Sequence, residues 1–164
     1  MSIKFTLRYI TAIHEAGHAV MHILNGGCVY HVTLTLADEN QRGGVTAEQF
    51  NIEDKDGCRR EILTSLAGEA ALIVFGVPDE AREDLDIVRD RARADSLAQR
   101  ICIDDDGWPD DGKVEDYLRH CSSEAVVIFE KVENRRKLET VVQALMKLND
   151  GDKITGIQLR EMLG

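Results

Sequence analysis

The sequence predicts a mostly α fold of the α+β kind, with a small β-hairpin-like sheet. Three observations predict it. Apolar residues recur at helical spacing over most of the chain, aromatic residues are only 5 % of the composition, and one early segment, 29–36, is β-branched and alternating. With 164 residues and only two prolines, the chain is long enough to bury one core without disulfides, so a single domain over 1–164 is expected.

Taken in order, Leu7 to Leu24 reads as a helix, with Ile10, Ile13, Val20, Ile23 and Leu24 on its apolar positions. Asn25-Gly26-Gly27 ends it, because glycine accepts the left-handed conformation of a helix stop. Residues 29–36 read as a strand, 37–43 as a polar loop, and 44–50 as a partner strand completing the hairpin. Helical periodicity resumes over 54–75 with Ile62, Leu63, Leu66, Ala70, Ile73 and Val74, and Gly76-Val77-Pro78 closes it. A third helix is expected over 79–103, its acidic first turn (Asp79, Glu80, Glu83, Asp84) matching the positive end of a helix dipole. Residues 104–112 form an acidic Gly/Pro loop. A long helical region follows over 114–148, with a break expected near 119–123. Its apolar stripe runs through Ala125, Ile128, Phe129, Val132, Leu138, Val141, Leu145 and Leu148. Thr155 with Gln158 is a capping-box pattern that starts a short last helix to Leu163. No internal repeat, linker or low-complexity segment is present.

The charge narrows the function. Thirty acidic residues against twenty basic give a formal −10, which disfavours nucleic acid and anionic membrane surfaces as partners and favours solubility. No apolar stretch is long enough to span a bilayer and no secretory leader is visible, so a cytoplasmic protein is expected. Cys28, Cys58, Cys102 and Cys121 form no C-x-x-C pair, which excludes a zinc ribbon and points to mostly buried, reduced thiols. Gly107 to Lys113 fits G-x-x-x-x-G-K, but Val114 stands where magnesium needs a hydroxyl, Pro109 lacks an N–H, and Asp110 and Asp111 repel phosphate. It is an exposed acidic loop, not a phosphate loop.

The motif that carries chemistry is His14-Glu15-Ala16-Gly17-His18, an H-E-x-x-H sequence. Positions four apart lie on one helix face, so both imidazoles can address one ion. Zinc accepts neutral imidazole nitrogen and leaves a position open for water at a catalytic site. Glu15, beside the first histidine, is placed to take a proton from that water as it attacks a peptide carbonyl. Ala16 and Gly17 keep the helix surface low, and a mid-helix glycine, which costs about 1 kcal/mol against alanine, asks for a reason such as close packing. A third protein ligand is required, and spacing alone leaves His22, His31, Glu69, Asp84 and Asp86 open. His22 is one turn further along the same helix, where three histidines do not converge on one ion, so it reads as a satisfied helix histidine.

These residues resemble the peptidase domain of the FtsH family, the membrane-anchored, ATP-dependent AAA+ zinc proteases. His14-Glu15-Ala16-Gly17-His18-Ala19 matches that family's hexapeptide, His31-Val32-Thr33-Leu34 its following strand, and Leu66-Ala67-Gly68-Glu69-Ala70-Ala71 through Phe75-Gly76 its next helix. Asp84-Leu85 with Val88, Ala92 and Arg93 resembles the helix opening on the third ligand, and Glu133-Asn134-Arg135 with Ala144-Leu145 the late helix. The resemblance covers nearly the whole chain, thinly in the middle. It implies a helical zincin-like peptidase in which His14, His18 and Asp84 bind Zn2+ and Glu15 is the catalytic base. The chain departs from the family in a shorter Ala-Ala…Phe-Gly segment, in Leu72-Ile73 at usually acidic positions, in Asp79 to Glu83 replacing a Thr-Gly stretch, and in 94–112, which aligns poorly. Neither an ATPase module nor a spanning segment occurs in this sequence.

The expected function is therefore a stand-alone zinc-dependent endopeptidase. Its substrates would be unfolded segments or short peptides, since no unfolding motor is present, with 44–50 as an edge strand for the substrate backbone. Family members form hexameric rings, so a homo-oligomer is one state the resemblance implies. The rivals are a catalytically degenerate zinc-binding module and a metal-free helical interaction domain.

Overall fold

A computed structural model describes residues 6–34, 43–82 and 87–164. Helix α1 (Leu7–Leu24) starts where the Thr6 side chain accepts from the Tyr9 N–H. It ends where the Gly27 N–H donates to the His22 carbonyl and the Gly26 N–H to that of Ile23. Gly26 takes φ +81° to make this stop, the left-handed geometry expected of it. Helix α2 (Lys55–Val74) is capped by the Asp54 carboxylate on the Gly57 N–H, and Gly76 at φ +69° closes it in the same manner. Among the described elements, the α1–α2 interface is the most extensive. A Cβ on Gly17 would lie 2.4 Å from the Ala67 carbonyl oxygen, so its lack of a side chain serves the crossing of these helices. The expectation of a low surface for a metal's approach is corrected at that residue.

Strands β1 (Val29–Thr33) and β2 (Gly44–Ala47) pair antiparallel, as the sequence predicts, though each is shorter than expected. A third strand, β3 (Lys153–Thr155), pairs on the other side of β1, giving the order β2-β1-β3. Among the described residues, β2 is therefore an edge. Val29, Val32 and Leu34 turn inward against the helices.

The expected third helix is not continuous. Asp79–Ala81 is one 3-10 turn, after which Arg82 folds back so that its guanidinium donates to the Val77 carbonyl. Helix α3 then runs Ile87–Ile101, burying Ala94, Leu97 and Ala98. Asp84, with its acidic neighbour Glu83, lies outside the described residues. The loop 104–110 uses its own amides: the Asp104 carboxylate accepts from the Asp106 and Trp108 N–H groups, which agrees with rejecting a phosphate loop.

The expected break in the late helix is also displaced. Helix α4 (Asp111–Glu130) is intact through 119–123, and the chain turns at Lys131 (φ −61°, ψ 130°) into α5 (Val132–Met146). The reason is a jump in the apolar phase. Cys121, Ala125 and Phe129 form one buried stripe and Leu138, Val141 and Leu145 another, while Val132 between them is exposed. Asn134 fastens the corner by donating from Nδ2 to the Ile128 carbonyl at 2.9 Å. Helix α6 (Gly156–Leu163) begins at the expected capping box of Thr155 and Gln158. The buried apolar residues form one core cluster spanning all of these helices. The four cysteines are free thiols, two of them buried. Among the described residues, no helix is long and apolar enough to cross a membrane.

Candidate metal centre

The interior of α1 is buried on almost every side, which makes its polar residues informative. His14 is 4 % exposed and Glu15 9 %. One turn apart, the rings of His14 and His18 meet edge to face, with centroids 4.6 Å apart. Their Nε2 atoms are 3.0 Å from each other. A carboxylate from α3 completes the group, with Asp90 Oδ2 at 3.1 Å from both nitrogens.

The tautomer of His18 follows from its other nitrogen. Nδ1 is 2.7 Å from the Thr64 carbonyl on α2, an acceptor only, so Nδ1 carries the proton and donates. Nε2 then presents its lone pair to the cluster. A backbone carbonyl in this role is the usual orienting partner of a metal-binding histidine. Two imidazole nitrogens and a carboxylate oxygen, converging at the wall of a cleft, require either a shared cation or added protons. Their separations suit a cation: donors at about 2.05 Å in a tetrahedral shell stand about 3.3 Å apart. His14, His18 and Asp90 form the one such group among the described residues.

Space for the rings comes from α2. A Cβ on Gly68 would sit 2.5 Å from His14 Cε1, 2.6 Å from His14 Nδ1 and 2.6 Å from His18 Nε2. His14 Nδ1, beside it, has no partner among the described residues.

Without a cation, the electrostatics are those of an ion pair. Burial opposes charge on His18, but the hydrogen bond and charge of Asp90 outweigh it, with help from Glu15, and its pKa is raised to about 9. Burial likewise opposes charge on Asp90, and the two imidazoles outweigh it, holding the carboxyl far below its ordinary range.

The group opens into a cleft of about 380 Å³ whose walls come from α1, α2, α3 and the β2 edge. Glu15 lines it next to the histidines and lies under the start of β2, since a Cβ on Gly43 would come 2.7 Å from Glu15 Cγ.

Of the residues singled out from sequence, His14, His18 and Glu15 come together. Asp84, the expected third ligand, and Asp86 lie outside the described residues, and the carboxylate found beside the histidines is Asp90. Sequence reasoning passed over Asp90, although a signal existed. It stands four, seven and eight residues before Ala94, Leu97 and Ala98, on the apolar stripe of its helix, where a carboxylate needs a partner. Glu69 is engaged elsewhere, accepting from Arg91 Nε at 2.9 Å. His31 sits on β1 with Nε2 3.1 Å from Thr46 Oγ1 of β2. His22 is buried against Phe50, with ring centroids 4.5 Å apart, and does not join the cluster. Its Nε2 has no partner among the described residues, so it is less satisfied than expected. No family model matches the chain, and no curated protein matches it significantly.

Proposed function

We propose that this protein is a zinc-dependent peptidase, with His14, His18 and Asp90 holding the metal and Glu15 as general base. The convergence of two imidazole nitrogens and one carboxylate oxygen, 3.0–3.1 Å apart, carries this reading. Two nitrogens and one oxygen suit zinc among the biological dications. When bound there, zinc supplies a Lewis acid for the scissile carbonyl and makes water acidic near neutral pH.

The chain's own groups do the rest. The Thr64 carbonyl fixes the His18 ring, and Gly68 leaves both rings their room. Asp90, from a different helix, makes the set conditional on the fold. The Glu15 carboxylate takes the proton of the attacking water and returns it to the departing amine. β2, at the sheet edge and lining the cleft, is available to pair with an extended substrate backbone next to Glu15. The resemblance to FtsH-type proteases points the same way, and unfolded or short peptides are the substrates that fit an open cleft.

The test is cleavage of a fluorogenic peptide library by the zinc-loaded protein and by Glu15→Gln, with zinc measured in both. The expected result is retained zinc and a kcat lower by about 10²–10⁴ in the variant. Cleavage unchanged by Glu15→Gln would refute the mechanism. Bound zinc with no cleavage of any peptide by the wild-type chain would favour a zinc-binding interaction module.

A further inference from the structure

The cleft does not end at the metal group. One helical turn further, about 5.4 Å along, the same three helices each contribute again. α1 supplies His22, four residues after His18. α2 supplies Glu61, three residues before the Thr64 that holds His18. α3 supplies Arg93, three residues after Asp90. All three line the cleft, with Glu48 just past the end of β2.

Glu61 stands out because it is 6 % exposed and only half satisfied. One carboxylate oxygen, Oε1, accepts from the Arg93 guanidinium. The other, Oε2, is buried with no partner among the described residues. Arg93 reaches in from the rim, its side chain 53 % exposed, and engages Oε1 alone. His22 does not serve Oε2: burial lowers its pKa, and its Nε2 faces Gly27, where a Cβ would come within 2.3 Å. Arg89, the cleft's other arginine, is the residue before Asp90, one turn back toward the metal group. A buried carboxylate oxygen calls for a donor, and a charge-assisted bond is about twice as strong as a neutral one. Along an extended peptide, side chains on the same side are about 6.8 Å apart, close to the separation of the two layers.

We propose that Glu61 is the floor of a substrate subsite that receives a lysine or arginine side chain of the peptide, adjacent to the bond that is cut. This rests on the peptidase reading and adds a substrate class to it. Glu48, exposed on the facing wall, brings a second carboxylate to the rim of the same subsite.

The experiment uses peptides identical except for lysine, glutamine or norleucine, scanned through each position. Binding is read by fluorescence polarisation on zinc-loaded Glu15→Gln protein, and kcat/KM on the wild type. At one position lysine should be favoured over norleucine and over glutamine by about tenfold. Glu61→Gln should bring that ratio to near one. Arg93→Met, a change at a half-exposed residue, frees Oε1 and should raise the ratio, so the proposal remains testable if Glu61→Gln does not fold. No lysine preference at any position, a preference that survives Glu61→Gln, or a ratio that Arg93→Met leaves unchanged or lowers overturns it. Lysine-selective binding without cleavage of any peptide would sink the peptidase reading and keep the subsite. Cleavage without lysine preference would do the reverse.

Discussion

Gly68→Ala separates the metal group from the fold in one substitution. On helix propensity alone it should stabilise α2 by about 1 kcal/mol. Sterically it does the opposite, because the new Cβ would stand 2.5 Å from His14 Cε1 and 2.6 Å from His18 Nε2. Non-bonded carbons prefer about 3.5–4.0 Å, so the overlap is about 1 Å. An imidazole must move by about that much, whereas ligand atoms at a metal tolerate about 0.2 Å. Overpacking costs about 1–3 kcal/mol, so the metal-free variant should be between equally stable and about 2 kcal/mol less stable. Losing support around a ligand costs about 10–100-fold in metal affinity, and moving the ligand itself should cost at least about 100-fold. The control is Gly17→Ala, where the new Cβ meets backbone at 2.4 Å, the Ala67 carbonyl, which cannot turn aside. Its main effect should be on stability, through a wider α1–α2 crossing. Competition with a chromophoric chelator and thermal denaturation, run on both variants, read the two effects. Zinc held at wild-type affinity by Gly68→Ala would refute the chelating role of the histidine pair.

Metal binding should release a proton near neutral pH, because His18, raised to about 9, is protonated in the metal-free protein and must give up that proton. Calorimetric binding enthalpy should vary with the ionisation enthalpy of the buffer, and affinity should rise with pH up to about 9; neither dependence would appear if His18 is not a ligand. The metal-free fold has the opposite slope. Because the folded pKa of His18 lies above its unfolded value of 6.5 while that of Asp90 lies below its own, the pair's contribution is full between the ordinary carboxylate range and 6.5; it is lost as pH rises through about 9, which denaturant titrations across that window would detect. Asn134→Ala should cost about 1–3 kcal/mol by leaving the Ile128 carbonyl without its donor at the α4–α5 corner, with zinc content unaffected. A melting temperature equal to wild type would show that the corner holds without it.

Helix α1 was legible to the residue because its apolar stripe and its glycine stop agreed; the Thr6 cap that the structure adds marks the same start. Two of the three side chains of the candidate metal group were legible for the same reason, since a four-residue spacing on a known helix fixes two imidazoles on one face. The carboxylate was harder. Asp90 comes from a helix distant in sequence, and the resemblance favoured Asp84, which lies outside the described residues. The periodicity of α3 carried a clue to Asp90, which is in phase with Ala94, Leu97 and Ala98. β3 was missed because three residues are too few to show alternation, and its pairing with β1 depends on a contact across most of the chain. The turn at Lys131 carries no glycine or proline, and only the shift of the buried stripe between Phe129 and Leu138 marks it.

The most direct test is the zinc content, by elemental analysis, of the wild-type chain, Asp90→Ala and Asp84→Ala purified side by side. The expected result is one zinc per chain in the wild type and in Asp84→Ala, and close to none in Asp90→Ala. Full zinc in Asp90→Ala, or none in the wild type even after metal is added, would contradict a centre built from His14, His18 and Asp90.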